Sequence, residues 1–213
     1  MMRSILVVNP KGGSGKTTVA TNLAGFFAAR GKRVVLADMD RQQSAANWLT
    51  RRPEMLPHIK AWTAATDKKE IKSYDAEWTV IDSPAGVHGE KLTNLVRRVE
   101  WVVVPVAPSA FDMEATKDFL AELLKEKPIK KGESQVAVVG NRVDSRTLVA
   151  DELATFLKSL ELPILTYLRD TQNYIHCARD GYSLFDVAPS RVEQDIEQWK
   201  PLVRWLMRQA KVS

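Results

Sequence analysis

Residues 9–18 read NPKGGSGKTT, and this stretch decides the fold. It nearly spells the phosphate-binding pattern G-x-x-x-x-G-K-[ST], with Gly15, Lys16 and Thr17 in register and Pro10 where the first glycine would stand. It lies between an apolar run, SILVVN (4–9), and a segment of helical periodicity (16–30), the strand–loop–helix context that such a loop requires. Gly12, Gly13, Ser14 and Gly15 let backbone N–H groups curl around phosphate oxygens, and the helix beginning near Lys16 points its positive end at the same place. Lys16 is expected at the β- and γ-oxygens, the Thr17 hydroxyl on Mg²⁺ and the Thr18 hydroxyl near the α-phosphate. Lys11 is additional: by itself it reads either as a solvated loop cation or as a second phosphate contact.

Outward from this loop, short apolar runs alternate with longer amphipathic segments. Strands are expected at 4–9, 33–39, 58–63, 78–82, 101–106, 135–141 and 163–167, several of them apolar on both faces. Helices are expected at 16–30, 42–51, 66–72, 90–97, 113–126, 148–160, 172–179 and 192–209, with Gly31 closing the first and KPIKKGES (127–134) a charged connection. The pattern predicts one domain over residues 1–213, an α/β fold with a doubly wound, mostly parallel sheet and helices on both faces.

Composition narrows the function. Of 213 residues, 45% are apolar and 27% charged, enough for an ordinary core, and a net charge of +5 permits an acidic partner without demanding one. A lone Cys177 excludes an internal disulfide and any cysteine cluster, and His58, His88 and His176 have no zinc-type spacing. No run approaches the roughly 20 apolar residues of a membrane span, and the N-terminal run is too short for a signal-peptide core, so a cytoplasmic protein is expected.

KGGSGKTT as a whole resembles the deviant Walker A motif of the ParA/MinD family of partitioning and positioning ATPases. The resemblance implies that Lys11 crosses a two-fold interface to the nucleotide of the opposite subunit, so that ATP joins a homodimer. DMDRQQSAANW (38–48) resembles the family's D-x-D-P-Q segment: Asp40 would orient the attacking water and Asp38 would lie near Mg²⁺. Arg41 departs from the family's proline there. TVIDSPAG (79–86) resembles the Walker B element, making Asp82 the Mg²⁺ carboxylate, with Gly86 in a switch loop behind it. VVPVAPSAFDMEAT (103–116) looks like the P-x-x-P-S-x-x-D-x-x-A stretch, whose loop, shaped by Pro105, Pro108 and Ser109, lies by the dimer interface in relatives. Asn141 and Arg142 occupy the place of an Asn-Arg pair whose Asn reads adenine; a guanine reader of the N-K-x-D type would need Lys at Arg142. YLRDTQNYIHCARDGYSLFD (167–186) is similar to the stretch completing the nucleotide wall. Lys11, Lys16 and Asp40 are thus the expected catalytic residues, and ATP and Mg²⁺ the expected cofactors.

Lys200, Arg204, Arg208 and Lys211, spaced by four, four and three, share one face of the last helix, while Ile196, Trp199, Val203, Leu206 and Ala210 form another. The basic face reads as a stripe for non-specific DNA or as a solvated face at a helix C-terminus; Arg146 and Arg169 are weaker additions. By resemblance the expected activity is slow, adaptor-stimulated ATP hydrolysis that positions a cargo on the nucleoid: a plasmid, a chromosome origin or a protein body such as a carboxysome. The rivals are a membrane-associated positioning ATPase of the MinD kind and a small-molecule ligase or kinase of the same fold. Trp199 and Trp205 would serve an interfacial helix, but their spacing suits core packing equally well.

Overall fold

The computed structural model describes residues 2–63, 66 and 74–209. Seven strands form one all-parallel sheet in the order β3-β2-β4-β1-β5-β6-β7. They are β1 (Arg3–Val7), β2 (Val34–Asp38), β3 (Ile59–Thr63), β4 (Trp78–Asp82), β5 (Trp101–Val106), β6 (Gln135–Val143) and β7 (Ile164–Arg169). The helices are α1 (Lys16–Ala28), α2 (Ser44–Thr50), α3 (Gly89–Val96), α4 (Ala110–Leu123), α5 (Lys127–Lys130), α6 (Leu148–Lys158), α7 (Gln172–Asp180) and α8 (Pro189–Gln209), with a 3₁₀ turn at Leu184–Asp186.

Alternation along each strand builds two cores. Ile5 and Val7 of β1 face one side with Leu23, Phe26 and Phe27 of α1, Trp48 of α2 and Trp199, Leu202 and Leu206 of α8. Leu6 and Val8 face the other with Leu92 and Val96 of α3, Phe119 and Leu123 of α4, and Leu153 and Leu157 of α6. A sheet covered on both faces needs strands apolar on both faces, which is what the sequence runs supply.

The topology fixes where a ligand can lie. The chain leaves β1 through α1 on one face to reach β2, and leaves β4 through α3 on the other face to reach β5. These divergent connections open a crevice at the C-terminal ends of β1 and β4, the usual ligand position in such sheets. The NPKGGSGKTT loop emerges there.

All seven expected strands form, within two residues at their ends. The expected helix at 66–72 lies, apart from Thr66, outside the described residues. KPIKKGES is more than a connection: it begins with α5, whose Pro128 occupies an early helical position where a missing N–H is harmless. Helix α4 starts three residues before the expected Met113, because Ser109 caps it, its hydroxyl accepting the Asp112 N–H at 3.3 Å. Helix α8 starts at Pro189 and breaks at Val192 (φ −130°, ψ 18°), near the expected start.

Candidate nucleotide-binding site

The loop is anchored before it is chemical. Asn9, fully buried at the end of β1, donates its amide to the Pro105 carbonyl (2.9 Å) and the Thr116 hydroxyl (3.0 Å) and accepts the Lys11 N–H on Oδ1 (2.9 Å). Pro105 costs the sheet nothing toward β1, whose pairing with β5 ends at Val103, and its carbonyl is left for Asn9. At the far side of the loop, Gly15 has φ +91°, and a Cβ there would lie 1.9 Å from Asn141 Nδ2. Asn141 is buried and donates to the Ser14 carbonyl at 2.9 Å. Gly15 is therefore required twice, by its backbone and by the side chain packed against it. At Gly12 and Gly13 no protein atom stands within 4 Å of a would-be Cβ, and Gly13 has φ +82°, so there the left-handed backbone rather than crowding calls for glycine.

Lys16 opens α1 and is buried; its ammonium donates to the Lys11 carbonyl at 2.8 Å, which holds it across the loop. Burial lowers its pKa, and Asp82, Asp40 and Asp112 oppose that shift, which puts all three carboxylates within electrostatic reach of the ammonium. The Lys11 side chain differs. Among the described residues its ammonium has no ion-pair or hydrogen-bond partner.

Asp82 ends β4 and is 1% exposed. Its Oδ2 accepts the Thr17 hydroxyl at 2.7 Å, while Oδ1 is buried with no partner among the described residues. Burial pushes its pKa up to about 7, against the Thr17 hydrogen bond and with help from Asp38. An orphaned carboxylate oxygen beside a hydroxyl is a donor set for a hard cation, and Thr17 and Asp82 fit Mg²⁺. Asp38, the register neighbour of Asp82 on β2, is differently occupied: its oxygens accept the N–H groups of Asp40 (3.0 Å) and Ala46 (2.9 Å). It shapes the loop between β2 and α2 and contributes its negative charge from that position. Asp40 does not cap α2; its carboxylate accepts the Gln42 N–H at 3.0 Å, and Gln43 takes the cap position in a left-handed conformation (φ 52°). Arg41 is exposed. The loop after β4 is tied back to the phosphate loop by Gly86 N–H donating to the Pro10 carbonyl at 2.8 Å.

Beside Thr18 opens a cleft of about 760 Å³, walled by Asn141 and Arg142 from β6 and by Asp170, Tyr174, Ile175 and Arg179 at and along α7. The sequence segments 141–142 and 167–186 thus converge next to the loop. Arg142 is exposed, with φ +56°.

The expected DNA stripe is thinner than its spacing suggests. Arg204 and Arg208 are exposed, but Lys200 pairs with Glu197, an acidic neighbour one turn away, and Lys211 lies outside the described residues. Trp199, Val203 and Leu206 pack into the core as expected, and Trp199 donates to the Tyr174 hydroxyl at 2.9 Å. Arg169 is held by the fully buried Asp195, so it is a fold residue; Arg146 is bound by Asp144. Asn9 and Thr116 were not among the expected site residues, although an asparagine at the end of an apolar strand inside the motif signals a loop anchor.

Residues 5–184 match the CobQ/CobB/MinD/ParA nucleotide binding domain. A carboxysome distribution maintenance protein A from Gloeobacter kilaueensis is 30% identical over 188 residues, covering 85% of this chain and 83% of that protein. Its counterpart from Halothiobacillus neapolitanus is 25% identical, covering 86% and 87%. The chromosome-partitioning ATPase Soj of Thermus thermophilus is 27% identical, covering 74% and 76%. The ATP complex of a Cyanothece McdA variant superposes with a TM-score of 0.73 at 15% identity, covering 94% of this chain and 96% of that one. A chain of the MinC:MinD cell division protein complex of Aquifex aeolicus gives 0.72 at 17%, covering 96% and 95%; at such identities the likeness speaks for the fold alone. The matched segment contains every residue of the loop, both aspartate-bearing strand ends and the cleft wall, and the chain belongs to the CobQ/CobB/MinD/ParA family of nucleotide-binding domains.

Proposed function

We propose that this chain is a ParA-type positioning ATPase that dimerises around ATP, holds non-specific duplex DNA in that state and releases it after slow hydrolysis. The observation that carries the reading is the Lys11 ammonium, without a partner among the described residues, at a loop whose own cation, Lys16, is already supplied and held. A second lysine with no partner among the described residues, beside a glycine-rich loop, is suited to the phosphates of a facing subunit. The relatives named for carboxysome distribution and chromosome partitioning support the same reading and suggest an adaptor-linked cargo.

In this mechanism the loop N–H groups and Lys16 bind the phosphates and neutralise their charge. Thr17 and Asp82 hold Mg²⁺, which adds charge neutralisation when bound. Asp40, exposed enough to meet water and near Lys16 and Asp82, orients the attacking water. Lys11 completes the charge across the two-fold axis. Asn141 braces the loop with its amide and faces the base in the cleft with Arg142. Arg204, Arg208, Lys200 and Lys211 are assigned to DNA, doubled by dimerisation, and the protein is cytoplasmic and nucleoid-associated in its ATP state.

Duplex-DNA affinity measured with ATP, with ADP and without nucleotide tests the whole. ATP is expected to raise it at least tenfold, with the gain lost in Lys11→Ala. Equal affinity in all three states would sink the ATP-dependent DNA reading.

A further inference from the structure

The loop between β4 and α3 begins at Asp82 and touches the phosphate loop midway, where the Gly86 N–H donates to the Pro10 carbonyl at 2.8 Å. Gly86 and Gly89 have φ +68° and +56°, so two left-handed positions bracket its last stretch. Val87, between them, is buried in the core that α3 and α4 share.

That end is not held by its own residues. Helix α3 starts at Gly89, and the His88 side chain does not cap it. The cap comes from another helix. Glu122, near the end of α4, accepts the Gly89 N–H at 2.7 Å on one oxygen and shares the other with His88 Nδ1 at 2.8 Å. The His88 ring also stands edge-on to Phe119 of the same helix. A carboxylate at a helix N-terminus meets an otherwise unsatisfied N–H and the positive end of the dipole together. Glu122 is accordingly held below the usual carboxylate range, chiefly by the Gly89 N–H and then by His88, with Lys125 adding its charge from one turn on.

Helix α4 is itself bolted to the phosphate loop, because Thr116 accepts the buried Asn9 amide at 3.0 Å. The phosphate loop, the loop after β4 and α4 therefore close a circuit of hydrogen bonds: Asn9 to Thr116, Gly89 to Glu122, and Gly86 to Pro10. Packing of α3 on α4 does not need Glu122. Leu92, Val96, Phe119 and Leu123 supply the apolar contact, and Thr93 donates to Glu126 at 2.8 Å one turn further along.

We infer that Glu122 is a positioning residue of this site: from α4 it anchors the far end of the loop after β4, and so sets how closely that loop lies against the phosphate loop and the nucleotide it binds. Loops of this kind act on turnover more than on affinity when their rest position is disturbed. The kinetic consequence rests on the ATPase reading above, whereas the anchor itself does not, and two readouts separate them.

Wild type, Glu122→Ala, Glu122→Gln and Glu126→Ala are compared by steady-state ATP hydrolysis with Mg²⁺, by ATP affinity in calorimetry, and by hydrogen exchange of residues 83–92 without nucleotide. Glu122→Ala is expected to lower kcat about tenfold while KM and ATP affinity stay within about twofold, a split that lost packing would not produce. Its amides at 83–89 are expected to exchange about fivefold faster or more, with residues 11–17 unchanged. Glutamine keeps both hydrogen bonds, its amide oxygen accepting from Gly89 and its NH₂ donating to the other His88 tautomer, so Glu122→Gln is expected within about threefold of wild type in both readouts. Glu126→Ala is expected to match wild type. Unchanged exchange in Glu122→Ala overturns the anchor, as does equal impairment of Glu122→Gln. Faster exchange with unchanged kcat overturns the positioning role. Equal effects in Glu126→Ala would mark general packing of α3 on α4 and overturn both. If wild type hydrolyses no ATP, the ATPase reading fails, and faster exchange confined to 83–89 in Glu122→Ala still upholds the anchor.

Discussion

At the residue scale the site is organised around charges that are costly until a ligand arrives. Asp82 is the clearest. Its carboxyl is neutral in the fold up to about pH 7 but ionises near 3.8 when unfolded, so the native state binds the extra proton between those values. Nucleotide-free stability therefore falls as pH rises from about 4 through 7, by up to about 4 kcal/mol for a shift of roughly three units. Asp82→Asn is expected to flatten that profile and to raise the nucleotide-free melting temperature at pH 8 while abolishing Mg²⁺-dependent ATP binding. Scanning fluorimetry from pH 5 to 8 checks it; a variant as pH-sensitive as wild type would reject the burial argument. Gly15→Ala meets two obstacles, φ +91° and Asn141. A destabilisation of about 2 kcal/mol or more is expected, with loss of ATP binding by calorimetry, and Gly15→Ala/Asn141→Ala removes only the second obstacle and recovers only part of it.

Among the elements, the strands were legible because a doubly covered sheet demands apolar runs of strand length, and the phosphate loop because glycines and a lysine must sit at fixed spacing. What was illegible depends on partners distant in sequence. Asn9 meets Thr116 across 107 positions, and Arg169 looks like a free cation until α8 brings Asp195 to it. The stripe of α8 showed the correct buried face, yet no spacing rule revealed that Glu197 takes Lys200. Helix α5 was hidden because Pro128 reads as a breaker unless it stands in a first turn. A similar long-range node joins α2 to the 3₁₀ turn: Arg52 pairs bidentately with Asp186 at 2.8 and 3.0 Å, both side chains almost wholly buried. Removing one partner strands the other, so Asp186→Ala is expected to cost about 3–5 kcal/mol by urea denaturation. A loss under about 1 kcal/mol would show that water reaches Arg52.

For the whole molecule, the sheet holds the phosphate loop at one end, in the crevice that its divergent connections open. The central claim is that ATP joins two copies of the chain because each loop lacks the charge that its partner's Lys11 brings. Sedimentation of Asp40→Ala, a substitution that removes the residue proposed to orient the attacking water, with Mg²⁺ and saturating ATP tests it most directly, alongside Asp40→Ala/Lys11→Ala. The account predicts a dimer in the first and a monomer that still binds ATP in the second. A double variant that dimerises as well as its parent would contradict it.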